Sequence, residues 1–258
     1  MTRRAVVTGA SSGIGAATVR RLRASGWEVV AVARRADRLA ALEDETGAVA
    51  FAADLTTDAD IDALTEFLAG SGAVHSVAHI AGGARGTDRV EEGRVSDWQW
   101  MYDVNVLAVQ RLTQALLPQL RRSAASGGHA DLLFVTSTAA QVAYPGGGGY
   151  NAAKAAESML VNALRLELNG EPLRVIEIAP GMVYTEEFTL NRVGGDRDRA
   201  AAVYEDVQNP LTAEDVADVI GYALEAPGHV NLDLVTMRPV AQSAQYLLAR
   251  GPLTPRLP

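Results

Sequence analysis

Tyr150 and Lys154 stand four residues apart in YNAAK, a spacing that puts both side chains on one face of a helix. An ammonium beside a phenol favours the phenolate and lowers the tyrosine pKa. The hydroxyl can then exchange a proton with an alcohol or carbonyl oxygen nearer neutrality. Ser137 ends the preceding apolar run, where its hydroxyl could hydrogen-bond the same oxygen. A lone Y-x-x-x-K arises by chance on many surfaces, and a second cluster makes this one specific. That cluster is Gly9-Ala10-Ser11-Ser12-Gly13-Ile14-Gly15, between a strand-like and a helix-like run. Glycines at 9, 13 and 15 allow a tight turn and a close backbone approach to a pyrophosphate. The unpaired N–H groups and positive end of the helix beyond them attract it. The spacing is G-x-x-x-G-x-G, not G-x-G-x-x-G; its place between strand and helix argues against a glycine-rich turn without a ligand.

Arg34 and Arg35 follow the second strand-like run, where an NAD site carries an acidic residue for the ribose 2′-hydroxyl. Guanidinium groups suit a 2′-phosphate, so NADP(H) is the expected cofactor. The competing reading is a pair of solvated surface arginines. Asp37, the nearest acid, precedes Arg38-Leu39 as a helix cap does.

These residues need elements to position them. Runs at 5–7, 28–33, 48–52, 74–80, 131–136, 174–178 and 232–237 read as strands. Amphipathic segments at 14–24, 38–46, 58–69, 97–120, 151–169 and 213–224 read as helices. Such alternation implies an α/β fold, a single Rossmann-type doubly wound parallel sheet of about seven strands with helices on both faces. One domain over 1–258 is expected. Residues 123–128 read as a surface insertion and 145–149 (PGGGG) as a flexible run. The long polar stretch 184–210 reads as a lid-like substrate loop.

The chain has 258 residues, 48% hydrophobic, and 23 Lys and Arg against 31 Asp and Glu, a net charge of −8. That balance disfavours nucleic acid and anionic membrane surfaces. The absence of cysteine excludes disulfides, a thiolate zinc site and a cysteine nucleophile. The opening MTRRAVVTGA reads as neither signal peptide nor anchor. No stretch reaches the ~20 apolar residues of a membrane helix, so a cytoplasmic protein is expected. His75 and His79 fall in a strand-like run, where their separation spans ~13 Å, too far for one ion; no metal is expected. Trp98, Trp100, Met101 and Tyr102 read as core or subunit contact.

The sequence resembles the short-chain dehydrogenase/reductase family over nearly its whole length. The matching pieces are TGASSGIG (8–15), Asp54-Leu55, Ala81-Gly82, Asn105 in DVNV, Ser137, YNAAK and PGMVYT (180–185). The resemblance implies a catalytic set of Asn105, Ser137, Tyr150 and Lys154. Tyr150 would be the general acid/base, Ser137 would orient substrate, Lys154 would hold the nicotinamide ribose and Asn105 would support a water leading to Lys154. It also implies cofactor contacts at Gly9, Ser11, Ser12, Gly13, Ile14, Gly15, Arg34, Arg35, Leu55, Ala81, Gly82, Pro180 and Gly181, and at Tyr150 and Lys154 themselves. Asp54 would meet adenine, while Val183 and Thr185 would anchor the carboxamide. The family's Asn-Asn-Ala-Gly is replaced by His79-Ile80-Ala81-Gly82, so the cofactor floor is expected to be rebuilt. Its Asn-Val-x-Gly is Asn105-Val106-Leu107-Ala108.

Through Pro180-Gly181-Met182-Val183, Glu187-Phe188, Gly195-Asp196, LTAEDVA (211–217) and HVNLDLVTMRPVAQ (229–242), the C-terminal half is similar to the NADP-dependent serine and 3-hydroxy acid dehydrogenase branch. That implies a small hydroxy acid or carbonyl substrate and a homodimer or homotetramer formed through the helices at 97–120 and 151–169. Ser137, Tyr144 and Arg192 are the candidate substrate residues. Arg192 offers a fork for a carboxylate, or is a solvated loop residue. Two alternatives stand beside this reading. One is a biosynthetic ketoreductase for a larger carbonyl substrate, with PGGGG admitting bulk. The other is a dinucleotide-binding regulatory protein that has lost catalysis.

Overall fold

A computed structural model describes residues 2–255. Its order is β1 (Arg4–Thr8), α1 (Gly13–Ala24), β2 (Glu28–Ala33), α2 (Ala36–Thr46), β3 (Val49–Ala52), α3 (Asp58–Ser71), β4 (Ser76–His79), α4 (Val95–Tyr102), α5 (Ala108–Gly127), β5 (Ala130–Val135), α6 (Gly148–Glu167) and β6 (Leu173–Pro180). The chain continues with α7 (Phe188–Arg192), α8 (Arg197–Tyr204), α9 (Ala213–Glu225), β7 (Val235–Met237), β8 (Gln242–Ala244) and β9 (Leu247–Leu248). Seven strands form one sheet in the order β3-β2-β1-β4-β5-β6-β7, every pairing parallel. The expected Rossmann-type sheet is present.

Period-two alternation explains why the strands read as continuous apolar runs: both faces are buried. Val6, Val30, Val32, Leu132 and Phe134 pack into one core with Leu64, Leu112, Leu116 and Val161 of α3, α5 and α6. Ala5, Val7, Val29, Ala31, Leu133 and Val135 pack into the other with Val19, Leu22, Leu39 and Ile220 of α1, α2 and α9. Both layers leave the carboxyl ends of the strands open, where the first βα turn lies. No helix of the described residues is long and apolar enough to cross a membrane.

Several expectations about elements change. The segment 97–120 is not one regular helix: a π turn at Asp103–Leu107 separates α4 from α5. Residues 123–128 are no insertion, because α5 continues to Gly127. Asp37 does not cap α2; Arg35 holds that position and Asp37 lies in the first turn, where its charge suits the helix dipole. The 184–210 stretch is not bare loop, since it carries α7 and α8. The small β8–β9 antiparallel pair was not expected.

Candidate active site

The phosphate loop forms where β1 passes into α1. Gly9 adopts φ +68° with its α-carbon so close to the next strand's exit that a Cβ would stand 3.0 Å from the Ala81 backbone. Thr8, just before it, ties β1 to the exit of β4, where His79-Ile80 stands in place of the family's asparagines. Its hydroxyl accepts from the Ile80 and Ala81 amides at 2.8 and 3.0 Å, and donates to the Ala78 carbonyl at 3.2 Å. His79 takes no part in the floor. Its ring is buried, stacked on Phe134 at 4.7 Å, with Nε2 3.2 Å from the Thr113 hydroxyl. Burial alone drives its pKa to about 3, so it stays neutral.

A cleft of about 880 Å³ opens above these strand ends. Gly9, Ser11, Ser12, Gly13, Ile14, Gly15, Arg34, Arg35, Asp54, Leu55, Ala81, Gly82, Pro180, Gly181, Val183 and Thr185 all line it. Ser137, Tyr144, Tyr150, Lys154 and Arg192 line it too. Arg34 is exposed, whereas Arg35 is organised: its guanidinium bonds Ser11 Oγ at 2.9 Å and Ser12 Oγ at 3.0 Å. Arg35 also pairs with Glu187 at 2.7 Å, and Arg38 reaches the same carboxylate at 2.7 Å. These guanidinium hydrogen bonds outweigh burial and hold Glu187 down at about 2. Neither Glu187 nor Arg38 was a candidate.

Asn105 sits in the π turn and spends its amide on backbone. Nδ2 donates to the Gly83 and Met101 carbonyls at 2.9 and 2.7 Å, and Oδ1 accepts from the Gly83 amide at 3.1 Å. It therefore ties α4 to the segment leaving β4. Gly82 fills the space between Asn105 and Lys154, where a Cβ would stand 3.5 Å from Nζ.

Tyr150 and Lys154 point into the cleft from the first turns of α6, both almost wholly buried. Ser137, at the exit of β5, accepts from the Ala139 amide at 3.1 Å, which fixes its hydroxyl oxygen. Lys154 Nζ donates to the Val135 carbonyl at 3.1 Å and to Glu157 Oε2 at 2.6 Å. Burial would lower the Lys154 pKa, but Glu157, Tyr150 and Glu177 outweigh it and hold the ammonium above its usual value. The Tyr150 hydroxyl departs from the expected lowering: burial pushes it above the ordinary phenol range, and the opposing pull of Lys154 is too weak to reverse this. The lysine charge is already matched by Glu157, a residue that was not a candidate. Its place on the Tyr150–Lys154 helix face was visible, but a helical glutamate is ordinarily solvated.

Arg192, at the end of α7, is not a solvated loop residue. It donates to Tyr144 Oη at 2.8 Å and the Gly146 carbonyl at 3.2 Å, and its Cζ lies 5.5 Å from the Tyr150 ring centroid. Phe188 meets the Tyr150 ring edge-on at 5.6 Å. Trp98, Trp100 and Met101 pack in one core cluster with Tyr150, as expected of core, and Trp100 also lines the cleft, with Arg85 Cζ 3.9 Å over its ring. Pro145 and Gly146 of the glycine run line the cleft, while Gly147 and Gly149 are packed against protein. A Cβ on Gly147 would come within 2.6 Å of the Tyr144 ring, and one on Gly149 would overlap Met101.

A doubly wound parallel sheet, a glycine loop at its first crossover and a buried tyrosine–lysine pair define a dinucleotide-dependent oxidoreductase architecture. Residues 3–192 match the family model for short chain dehydrogenase, and the chain belongs to that family. It is 49% identical over 249 residues to an uncharacterized oxidoreductase of Mycobacterium tuberculosis, covering 96% of both chains. It is 37% identical to serine 3-dehydrogenase of Agrobacterium fabrum, covering 92% of this chain and 94% of that one. The solved closed form of serine dehydrogenase complexed with NADP+ superposes with a TM-score of 0.89 at 33% identity, covering 96% and 99%. These relatives place the chain in the serine and hydroxy acid dehydrogenase branch of the family.

Proposed function

We propose that the protein is an NADP(H)-dependent oxidoreductase that interconverts a small hydroxy acid and its carbonyl partner. The observation that carries this reading is Arg192, a guanidinium held by Tyr144 and Gly146 beside the Tyr150 ring. A fixed cation beside that ring supports recognition of a carboxylate near the group that would transfer the proton. The NADP-bound relative supports the cofactor, as does the Arg35 guanidinium stationed at Ser11 and Ser12.

The cradle fits a dinucleotide. Gly9 and Ser11–Gly15 would hold the pyrophosphate at the N-terminus of α1, Arg35 and Arg34 the 2′-phosphate, Asp54 and Leu55 the adenine, and Ala81 and Gly82 the floor beneath the ribose. Pro180, Gly181, Val183 and Thr185 would meet the nicotinamide end. Bound NADP(H) supplies or accepts the hydride. The chain's own residues do the rest: Tyr150 gives or takes the proton at the substrate oxygen, and Ser137 holds that oxygen. Lys154 fixes the ribose and Asn105 keeps α4 and the Gly83 segment in register. The 184–210 segment, carrying Arg192, would close over the substrate as part of a single domain.

The test is nicotinamide absorbance with NADP+ or NAD+ over serine and short 3-hydroxy acids. NADP+-selective turnover is expected, with Tyr150→Phe at least ~100-fold slower and cofactor affinity retained. Arg192→Met should raise KM for the acids about tenfold or more and leave a neutral alcohol unaffected. Turnover of large neutral ketones alone would favour the ketoreductase reading; NADPH binding without turnover on any carbonyl would favour a regulatory protein.

A further inference from the structure

Below the cleft lies a buried ionic cluster that the proton transfer above does not use. Glu157 is 1% exposed and Glu177 2%. Glu157 follows Lys154 by three residues on α6 and binds its ammonium at 2.6 Å. Glu177 stands on β6, where Thr136 Oγ1 donates to it at 2.7 Å from the end of β5. Glu157 is thus the carboxylate partner of the ammonium, with the Val135 carbonyl as its other anchor, and Glu177 acts on it from beyond ion-pair distance. A buried ion pair costs desolvation and is retained only where geometry repays it. Here the pair leaves the lysine two fixed bonds and one N–H free to serve the cleft.

The geometry points to Glu157 as a positioning residue: with Glu177 behind it, it clamps Lys154 and, once ionised, offsets its charge, so that Tyr150 keeps the phenol form that carbonyl reduction needs further into the alkaline range. This rests on Tyr150 being the acid/base. In that direction the carbonyl carbon gains a hydride from NADPH, and the C=O π pair takes the proton of the Tyr150 hydroxyl. Alcohol and NADP+ are left, and the phenolate regains a proton from water. The reverse reaction needs the phenolate. An ammonium paired with a carboxylate stabilises a phenolate less than an unpaired one does. The direction of the Tyr150 shift, with Glu157 among the groups raising it, agrees. Glu157 is itself pushed up to about 7 by burial, with Glu177 adding and Lys154 opposing, so it is an anion over the alkaline range in which Tyr150 titrates.

The groups facing this unit are Lys154 and Glu157 on α6, Glu177 on β6, Ser137 and Tyr144 from the loops, and Arg192 from α7. Only the carboxylates are changed in the test. In the cofactor-free full chain, the phenolate absorbance that disappears in Tyr150→Phe reports the Tyr150 midpoint. Glu157→Gln, which keeps an acceptor for Lys154, should move that midpoint down by about one pH unit, and Glu177→Gln by less. The alkaline rise of oxidative kcat/KM should move by the same amount, so that oxidation stays fast to lower pH. A natively folded Glu157→Gln whose phenolate midpoint and pH profile both stay put overturns the proposal. So does a midpoint that rises. Turnover persisting in Tyr150→Phe would overturn the acid/base role itself, whereas a dead Tyr150→Phe with an unmoved Glu157→Gln profile overturns only the role of Glu157.

Discussion

At the scale of single residues, neighbouring groups reassign work that motif positions do elsewhere. Two amides at the exit of β4 need an acceptor, and the Thr8 hydroxyl supplies it. Thr8→Val keeps the shape and removes the acceptor. A buried donor left unpaired costs about 1–3 kcal/mol. The variant should lose stability on that order in urea titration, and its NADPH affinity should fall with the floor of the cleft loosened. A stability within a few tenths of a kcal/mol of the parent would deny Thr8 this function. Tyr150 teaches the same lesson about charge: Lys154 is adjacent as its spacing requires, yet the ammonium acts through what already binds it.

At the scale of elements, the segment carrying α7 is pinned to the phosphate loop by an internal anion. Glu187 joins Arg35, Arg38 and Ser12, all at the mouth of the proposed 2′-phosphate site. A carboxylate held near pKa 2 is ionised throughout the working pH range, so it competes with an incoming phosphate for the same guanidinium. The pair is partly exposed and therefore worth little, well under ~1 kcal/mol after screening. Glu187→Gln should accordingly tighten NADPH binding only two- to fivefold, read by nucleotide fluorescence, and leave NADH binding unaltered. Weaker NADPH binding in the variant would mean that Glu187 orders the arginines for the cofactor instead of competing for them. Below pH 4.5 the carboxylate's contribution declines, and it is lost as pH falls through about 2.

At the scale of the whole molecule, the two cores meet around a sheet whose central strands are buried on both faces, and His79 lies within that interior. Its folded pKa of about 3 lies below the unfolded value of 6.5. The unfolded chain binds a proton that the native chain refuses, so this stability is present above pH 6.5 and is lost as pH falls toward 3, at about 1.4 kcal/mol per unit. His79→Gln removes that dependence. The difference in unfolding free energy between pH 6.5 and pH 5 should shrink by about 2 kcal/mol relative to the parent. An unchanged difference would mean that the imidazole is charged or hydrated in the fold.

The seven strands, most helices, the glycine turn and the Tyr150–Lys154 face were all legible in the sequence, because each follows from local periodicity, capping or spacing. The π turn at 103–107 was not, since an extra residue in a helical turn has no compositional mark and answers to how Asn105 bonds Gly83 and Met101. Nor were α7 and α8, whose short polar segments take shape against the rest of the chain. Arg35 and Glu187 are 152 residues apart and Thr136 and Glu177 are 41 apart; only the parallel sheet and its crossovers bring such pairs together. The sequence by itself determined that Tyr150 and Lys154 share a helix face and that a glycine turn joins β1 to α1, as both depend on neighbours within one turn of chain. Tertiary structure alone decided that Lys154 is shared with Glu157 and that Arg192 faces Tyr150, because burial and long-range charge exist only once the layers have packed.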